Sequence, residues 1–303
     1  MTGRYAPSPT GQLHLGNLRT AAIAWLSARS DGRAFFMRVD DLDRQRSKPE
    51  HERGQLADLA AIGLDWDGPV VRQSERDRLY DAAIDRLRSD GLVYECYCTR
   101  REIREEIEAS PSAPHLPPGS YPGTCRDLGD SRRAELRDAG RSPALRLRTE
   151  GQTIDLVDVI AGATSGAVDD LVLRRNDGTA AYNLAVVVDD ADQAITEVVR
   201  GDDLLSSTPR QILLQRLLGL PTPTYAHVPL VLGDDGDRLA KRGGPVTLEG
   251  LRAAGINVAD VVAWIARSLE LVSADEPVTL AGLVDAFDLS AIPRDPVTAP
   301  RLA

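Results

Sequence analysis

The stretch that decides the fold is Arg4-Tyr-Ala-Pro-Ser-Pro-Thr-Gly-Gln-Leu-His14-Leu-Gly16-Asn17. It is a loop broken by proline and glycine, and it runs straight into an alanine-rich apolar segment, residues 18–29, with helical periodicity. Residues 3–6 and 34–39 flank this segment and look like buried strands. The order strand, helix, strand predicts a βαβ unit with two parallel strands.

The alternation of strand and helix continues along the chain. Apolar periodicity predicts further helices and one more apolar strand, the helices at residues 50–62, 76–89 and 208–218 and the strand at 183–188. Strands that alternate with helices form parallel sheets. We therefore expect an α/β fold in which residues 1–90 and 182–237 form a domain with a parallel sheet.

The remaining segments differ from the sheet-forming part in composition. Residues 91–181 contain all three cysteines and a window rich in proline and glycine, so we expect an inserted subdomain there. Residues 238–303 begin with a basic loop, Arg238-Leu-Ala-Lys241-Arg242, and continue into predicted helices at 248–254 and 258–271. The C-terminal region is therefore expected to be short and helical.

Bulk properties limit the class of protein. The 303 residues are 42% hydrophobic, enough for a real core, and no apolar stretch approaches the roughly 18 residues that span a bilayer. The N-terminus lacks a basic segment followed by an apolar run, so we expect a cytoplasmic monomer with no membrane partner. The net charge of −10 argues against a general nucleic-acid coat protein but is compatible with a local RNA site.

Positive charge is concentrated in one segment of the predicted insertion. The arginines of this segment are Arg132, Arg133, Arg137, Arg141, Arg146 and Arg148. They fit a solvated helix face followed by a strand as well as they fit an RNA-facing patch.

The loop before residue 18 has features of a phosphate-binding site. Gly11 and Gly16 let the backbone approach a ligand, the following helix presents free N–H groups and a positive dipole end, and His14 can donate to a phosphate oxygen. Taken alone, such a loop is also compatible with a tight turn and a capping or core histidine. The rest of the chain decides between the two.

Five blocks, at residues 4–17, 38–43, 182–185, 199–204 and 238–242, resemble class I aminoacyl-tRNA synthetases, and the resemblance implies a Rossmann-type catalytic domain in residues 1–90 and 182–237. His14-Leu-Gly16-Asn17 resembles their HIGH signature, and Arg238-Leu-Ala-Lys241-Arg242 resembles their KMSKS-type loop. The remaining blocks are similar to the glutamyl branch of that class, namely Arg4-Tyr-Ala-Pro-Ser8-Pro-Thr-Gly, Arg38-Val-Asp40-Asp41-Leu-Asp43, Tyr182-Asn-Leu-Ala and Val199-Arg200-Gly-Asp-Asp-Leu. The resemblance implies a class I Rossmann-type fold.

Both signatures depart from the family pattern, because Asn17 replaces the final His, Arg238 the first Lys and Ala240 the Ser. Lys241 is one of only two lysines in the chain. The resemblance implies that His14 and Lys241 stabilise charge on the α-phosphate of ATP, taken with Mg²⁺, as pyrophosphate leaves. The ATP-binding residues carried over are Pro7, Gly11, His14, Gly16, Asn17 and Lys241.

The resemblance also implies a glutamate pocket. Arg4 is suited to a bidentate clamp on the side-chain carboxylate, Asp40 matches the acid that takes the α-amino group, and Tyr182 and Arg200 match the residues that hold the α-carboxylate. Tyr5, Ala6, Pro7 and Ser8 complete the pocket. Asp40 stands where a glutamate is more usual, so its reach is one methylene shorter; surface salt bridges are the alternative role for Asp40 and Arg200.

The three cysteines, Cys96, Cys98 and Cys125, are clustered in the insertion. Disulfides are not expected in a cytoplasmic chain with an odd number of cysteines, whereas one structural Zn²⁺ fits the cluster. Zinc in structural sites has four ligands. The family resemblance points to Tyr121 as the fourth ligand, and His115 is the chemical alternative.

Within the glutamyl branch, the chain resembles the glutamyl-Q tRNA(Asp) synthetase family. It stops about sixty residues after Lys241, without an anticodon-binding half; it has the Tyr121-x-x-x-Cys125 spacing; and Val186 replaces a usual polar residue. The resemblance implies tRNA-independent activation of glutamate by ATP and transfer to queuosine in the anticodon stem-loop of tRNA(Asp). The alternatives are a minimal glutamyl-tRNA synthetase that charges a 3′ end and a non-catalytic RNA-binding paralogue.

Overall fold

The chain folds around a parallel sheet. The computed structural model describes residues 2–109, 120–233, 236, 239, 246–273 and 277–299. Two groups of parallel strands lie edge to edge: β1 (Thr2–Tyr5) pairs with β2 (Ala34–Val39) and β2 with β3 (Val71–Arg72), while β9 (Glu197–Gly201) pairs with β10 (Thr224–Val228). Thr196, just before β9, donates its N–H to the carbonyl of Thr2 at 3.0 Å and so joins the groups.

Helix α1 (Leu15–Ser30) connects β1 and β2, which confirms the predicted βαβ unit. The helix begins three residues before the predicted start because His14 caps it. Almost every residue from Leu15 to Ala28 is buried, since the sheet covers one side of α1 and the C-terminal helices cover the other. This helix is the centre of the larger hydrophobic core.

The other helices predicted for the sheet domain are present. They are α2 (Pro49–Ala61), α3 (Asp77–Ser89) and α7 (Thr208–Leu218). The strand predicted at 183–188 is wrong, because these residues belong to helix α6 (Tyr182–Asp192). Residues 184–190 are all buried, so the helix has no polar stripe, and a fully buried helix cannot be told from a buried strand by periodicity.

The segment between α3 and α6 contains short elements of mixed type. An antiparallel sheet of β4 (Val93–Cys96), β5 (Ala144–Leu147) and β8 (Val172–Arg174) lies beside a hairpin of β6 (Thr153–Asp158) and β7 (Gly162–Ala167). Two mostly exposed helices accompany them, α4 (Arg100–Ala109) and α5 (Asp130–Asp138).

The C-terminal region packs against α1. Its elements are β11 (Val231–Leu232), α8 (Leu248–Ala253), α9 (Val258–Ser268), α10 (Leu280–Leu283) and β12 (Val297–Thr298). Helix α9 is shorter than predicted because Glu270 adopts a left-handed backbone, with φ +58°. Strand β12, which was not predicted, pairs in parallel with β11. Among the described residues no helix is long and apolar enough to cross a membrane.

Candidate active site

His14 closes the first turn of α1 through a reciprocal pair of hydrogen bonds with Asn17. The Asn17 amide N–H donates to His14 Nδ1 at 3.2 Å, and the His14 N–H donates to Asn17 Oδ1 at 3.1 Å. Because Nδ1 accepts, the ring proton of the neutral imidazole is on Nε2. Burial lowers the pKa of His14, which favours this neutral form. Asn17 thus completes a capping box, and Nε2 remains a donor.

The loop from Ala6 to Leu13 is held from outside by two elements. Gln55 of α2 is buried, and its Nε2 donates to the carbonyls of Ser8 at 3.0 Å and Gly11 at 2.7 Å. The Asp40 N–H donates to the Pro7 carbonyl at 2.9 Å. Sequence reasoning missed Gln55, since a lone polar residue on an apolar helix face carries no functional pattern.

The second signature loop is only partly described. Arg238, Ala240, Lys241 and Arg242 lie outside the described residues. Both flanks of the loop contact the first signature: the Leu15 N–H donates to the Val246 carbonyl at 2.8 Å, and His14 forms a β-bridge with Thr247. On the other flank, Val231 lies against Gly16, where an added Cβ would also come within 3.1 Å of the His14 ring. Glycine at position 16 therefore leaves room for the His14 ring.

These segments enclose a cavity of about 510 Å³ at the carboxyl ends of β1 and β9. It is lined by every predicted ATP- or glutamate-binding residue in the described part of the chain, namely Arg4, Tyr5, Ala6, Pro7, Ser8, Gly11, His14, Gly16, Asn17, Asp40, Tyr182 and Arg200. Leu239, in the second loop, also lines it. Open parallel sheets bind ligands at this edge.

One end of the cavity carries a buried network of alternating charge. Arg38 donates to Asp40 at 2.8 Å and to Asp190 at 2.6 Å, and Arg4 donates to both oxygens of Asp190 at 3.3 and 3.4 Å. Burial raises the pKa of Asp40. Burial also acts to raise the pKa of Asp190, but Arg4 and Arg38 outweigh it and lower this pKa. Asp190 was missed because the apolar run before it was read as a strand.

Arg200 differs from Arg4 in its partners. Its side chain is buried, and it donates to His227 and Thr208. No carboxylate in the described part of the chain pairs with it, and its Nη1 has no partner there. Tyr182, at the first position of α6, is 39% exposed and lines the same cavity. The site thus holds a cation whose charge is not matched by a neighbouring acid.

The three cysteines converge in the antiparallel part of the fold. The sulfur atoms of Cys96, Cys98 and Cys125 all lie within 4.8 Å of one another. The Tyr121 hydroxyl is 3.3 Å from Cys96 Sγ and 3.7 Å from Cys98 Sγ. Hydrogen bonds from Cys125 and Cys98 lower the pKa of the Cys96 thiol. These four donor atoms could hold a metal ion, whereas His115 lies outside the described residues.

The arginine-rich segment consists of a solvated helix and a strand, one of its two predicted interpretations. Several of its arginines have acidic partners: Arg137 pairs with Glu95, Arg141 with Glu102 and Arg148 with Asp127, at 2.7, 2.9 and 2.9 Å. Arg146 is buried, with its guanidinium carbon 3.7 Å from the centre of the Tyr121 ring. The RNA-facing role stays a prediction.

Comparison with known proteins identifies the family. Residues 1–294 match the catalytic domain of class I tRNA synthetases (E and Q). The chain belongs to this family. A glutamyl-Q tRNA(Asp) synthetase from Nocardia farcinica is 60% identical over 97% of this chain and 91% of the relative, and another from Symbiobacterium thermophilum is 48% identical over 99% and 96%. The resemblance to that branch is therefore confirmed.

The fold agrees with a solved structure of the class. A glutamate tRNA ligase from Elizabethkingia meningosepticum, crystallised with its amino acid, superimposes with a TM-score of 0.83 at 28% identity. The match covers 98% of this chain and 66% of the ligase. The class I synthetase fold, with its parallel sheet, is thus confirmed for this chain.

Proposed function

We propose that this class I synthetase-like ligase activates glutamate with ATP, without tRNA, and transfers it to the queuosine base in the anticodon of tRNA(Asp). The observation that carries the proposal is a single cavity that joins an α-helix N-terminus and His14 to a buried set of arginines and aspartates. The names of the two relatives support the acceptor.

The charges in the cavity complement glutamate, which has two carboxylates and one ammonium group. Arg4 has five N–H donors, of which Asp190 and the Val199 carbonyl take three, so two remain for the side-chain carboxylate. Arg200 and Tyr182 are assigned to the α-carboxylate. Asp40 is assigned to the ammonium group.

At the other end, ATP is assigned to the loop and first turn of α1, with Mg²⁺ on its phosphates. His14 Nε2 and the cationic Lys241 would donate to the α-phosphate as charge builds up on it. The glutamate α-carboxylate attacks the α-phosphorus, the bond to the β-phosphate oxygen breaks, and pyrophosphate leaves with its electron pair. No nucleophilic side chain is required.

We also propose one structural zinc ion on Cys96, Cys98, Cys125 and Tyr121. With Zn–S distances of about 2.3 Å, tetrahedral sulfur ligands lie roughly 3.8 Å apart. The observed Cys98–Cys125 Sγ–Sγ separation of 3.4 Å is close to this value, and the Tyr121 hydroxyl lies 3.3 and 3.7 Å from the Sγ atoms of Cys96 and Cys98. Such an ion would stabilise the surrounding segment and would not take part in the reaction.

A second candidate acceptor is the 3′ end of tRNA, as in a minimal glutamyl-tRNA synthetase. The likeness to a glutamate tRNA ligase favours it. Both reactions start from the same adenylate, so the cavity does not distinguish them. They differ in which RNA hydroxyl attacks the adenylate.

Pyrophosphate exchange tests the first half of the proposal. Purified protein with ATP, Mg²⁺ and labelled pyrophosphate should form labelled ATP with glutamate alone, and glutamine and aspartate serve as comparison substrates. Exchange that requires tRNA, or that proceeds equally well with glutamine, contradicts the assignment of the pocket.

The position of the label tests the acceptor. Labelled glutamate, ATP and tRNA(Asp) with or without queuosine are incubated with the protein, and the RNA is then digested and mapped. We expect label on the modified base and none without queuosine. Label on the terminal adenosine of tRNA(Glu) would instead identify a minimal glutamyl-tRNA synthetase.

A further inference from the structure

Arg200 is held by a buried histidine on the neighbouring strand. Arg200 on β9 and His227 on β10 are direct partners in the parallel register. Arg200 Nε donates to His227 Nε2 at 3.0 Å, and Arg200 Nη2 donates to the Thr208 hydroxyl at 2.9 Å. All three side chains are at most 5% exposed. The guanidinium plane is therefore fixed by two neutral acceptors.

His227 is in turn oriented by Asp158 at the end of β6. His227 Nδ1 lies 2.6 Å from Asp158 Oδ2, while Asp158 Oδ1 accepts the backbone N–H groups of Ile160, Ala161 and His227 at 3.0, 2.9 and 3.1 Å. These hydrogen bonds outweigh burial and lower the pKa of Asp158, so the carboxylate is ionised and only accepts. The imidazole proton must therefore be on Nδ1.

This tautomer leaves a lone pair on His227 Nε2, directed at Arg200. Burial lowers the pKa of His227, which favours the neutral ring. The Thr208 hydroxyl, 3.1 Å from Nε2, can donate to the same atom while it accepts from Arg200. A carboxylate in place of the imidazole would neutralise Arg200, whereas a neutral acceptor leaves its charge available to an anion.

We propose that His227, oriented by Asp158, is a positioning residue for Arg200. It fixes the guanidinium in the cavity that Arg200 lines, so that the charge of Arg200 can bind the α-carboxylate of the amino-acid substrate. This inference rests on the proposed function, because it needs a carboxylate substrate in the cavity. Neither His227 nor Asp158 belongs to a recognised signature block, and neither is among the residues that line the cavity.

Asp158→Asn is the sharpest variant. The Asn oxygen can still accept the three backbone N–H hydrogen bonds, while its NH₂ group faces His227 Nδ1 and donates to it. The imidazole proton then moves to Nε2, where it faces the Arg200 Nε–H, and the hydrogen bond between the two side chains is lost. We expect the glutamate KM in pyrophosphate exchange to rise roughly 10- to 100-fold, the loss of one hydrogen bond to a charged group, with the ATP KM unchanged and kcat changed less than threefold.

Two substitutions of His227 test the acceptor directly. His227→Gln can place an amide oxygen near the position of Nε2, so it should restore the glutamate KM to within a few-fold of the wild-type value. His227→Leu removes the acceptor and should match Asp158→Asn. Tyr94→Phe, which removes a buried hydrogen bond to Asp170 away from the cavity, is the control and should leave the glutamate KM unchanged.

Nitrogen-15 NMR of labelled histidine provides a readout that does not depend on activity. The wild-type His227 should show a protonated Nδ1, and Asp158→Asn a protonated Nε2. A tautomer change without a change in glutamate KM, or equal KM increases in His227→Gln and His227→Leu, would overturn the positioning role. If the wild-type protein shows no exchange with glutamate, the proposed function is wrong. If the proton stays on His227 Nδ1 in Asp158→Asn, the positioning role is wrong, whatever the outcome of the exchange assay.

Discussion

Three arginines at the cavity have different partners, and this difference sets their roles. Arg38 is fully buried and bridges Asp40 and Asp190, so its charge is neutralised by these two carboxylates. Arg4 shares Asp190 through longer hydrogen bonds, and Arg200 has only neutral acceptors. The attraction for an incoming carboxylate should therefore increase from Arg38 to Arg4 to Arg200.

Substitutions of Asp40 test its assigned role in binding the substrate ammonium group. Asp40→Asn removes the charge assigned to the substrate ammonium group and weakens the pair with Arg38, so the glutamate KM should rise roughly tenfold or more. Asp40→Glu should preserve or lower it if the cavity accepts one more methylene. Initial-rate exchange kinetics measure both.

The neighbouring acid is the matched control for Asp40. Asp41 accepts from the Ser74 N–H and hydroxyl at 2.8 and 2.6 Å and does not line the cavity, so Asp41→Asn should leave the glutamate KM unchanged. An unchanged KM in Asp40→Asn would make Asp40 a bystander and would contradict its assignment to the ammonium group.

Arg4 and Lys241 should differ in kinetics. Lys241→Ala should lower kcat for adenylate formation by 100-fold or more with little change in glutamate KM, because its charge is needed as pyrophosphate leaves. Arg4→Ala should chiefly raise the glutamate KM. Equal effects of both variants on KM would show that Lys241 binds substrate rather than the transition state.

The signatures led to residues that the structure brings together, whereas chemistry alone led to few of the supporting residues. The predicted ATP- and glutamate-binding residues within the described part of the chain line one cavity, and their roles stay predictions. Gln55, Asp190, His227 and Asp158 were not found, because the contacts that define their roles span from 27 to 186 positions in the sequence. Such contacts depend on tertiary packing, which a local pattern does not contain.

The sequence predicted α1, α2, α3, α7, β1 and β2 within a few residues, but it did not predict helix α6 or the two-residue strands. Helices α2, α3 and α7 fit the predicted bounds because their apolar positions recur with helical spacing. Helix α6 was mistaken for a strand since it is buried on all sides. Strands β11 and β12 have two residues each, too few for any periodicity.

The sulfur cluster joins β4 to the segment around Cys125, and we expect it to bind zinc. Protein purified without added zinc should contain one zinc ion per chain. Cys98→Ser should release it and lower the melting temperature, since metal binding contributes directly to folding. Metal analysis and thermal denaturation measure this; three freely titrating thiols in metal-free native protein would contradict it.

At the scale of the whole molecule, α1 links the sheet to the C-terminal region. Arg19 of α1 is fully buried and donates to the Ser268 hydroxyl at 2.9 Å, the Ser268 carbonyl at 3.4 Å and the Pro229 carbonyl at 3.0 Å. No carboxylate in the described ranges pairs with it, and burial lowers its pKa to about 10. One side chain thus connects the first signature helix, the approach to the second loop and α9.

Arg19→Met should destabilise the protein by about 2–5 kcal/mol, because it leaves buried carbonyl groups without a donor, at about 1–3 kcal/mol for each group. Urea denaturation of this variant and of Arg216→Met, an exposed position on α7, measures the difference. The control should change by less than about 0.5 kcal/mol. Equal unfolding midpoints would mean that Arg19 does not hold the C-terminal region in place.

The contact between Thr2 and Thr196 has a consequence for biosynthesis. The two residues are 194 positions apart, so one edge of β1 stays unpaired until β9 has left the ribosome. At about 5–20 residues per second, this wait lasts roughly 10–40 s. β1 and α1 are therefore made long before β9, and during that interval the unpaired backbone edge of β1 is open to chaperones and to other nascent chains.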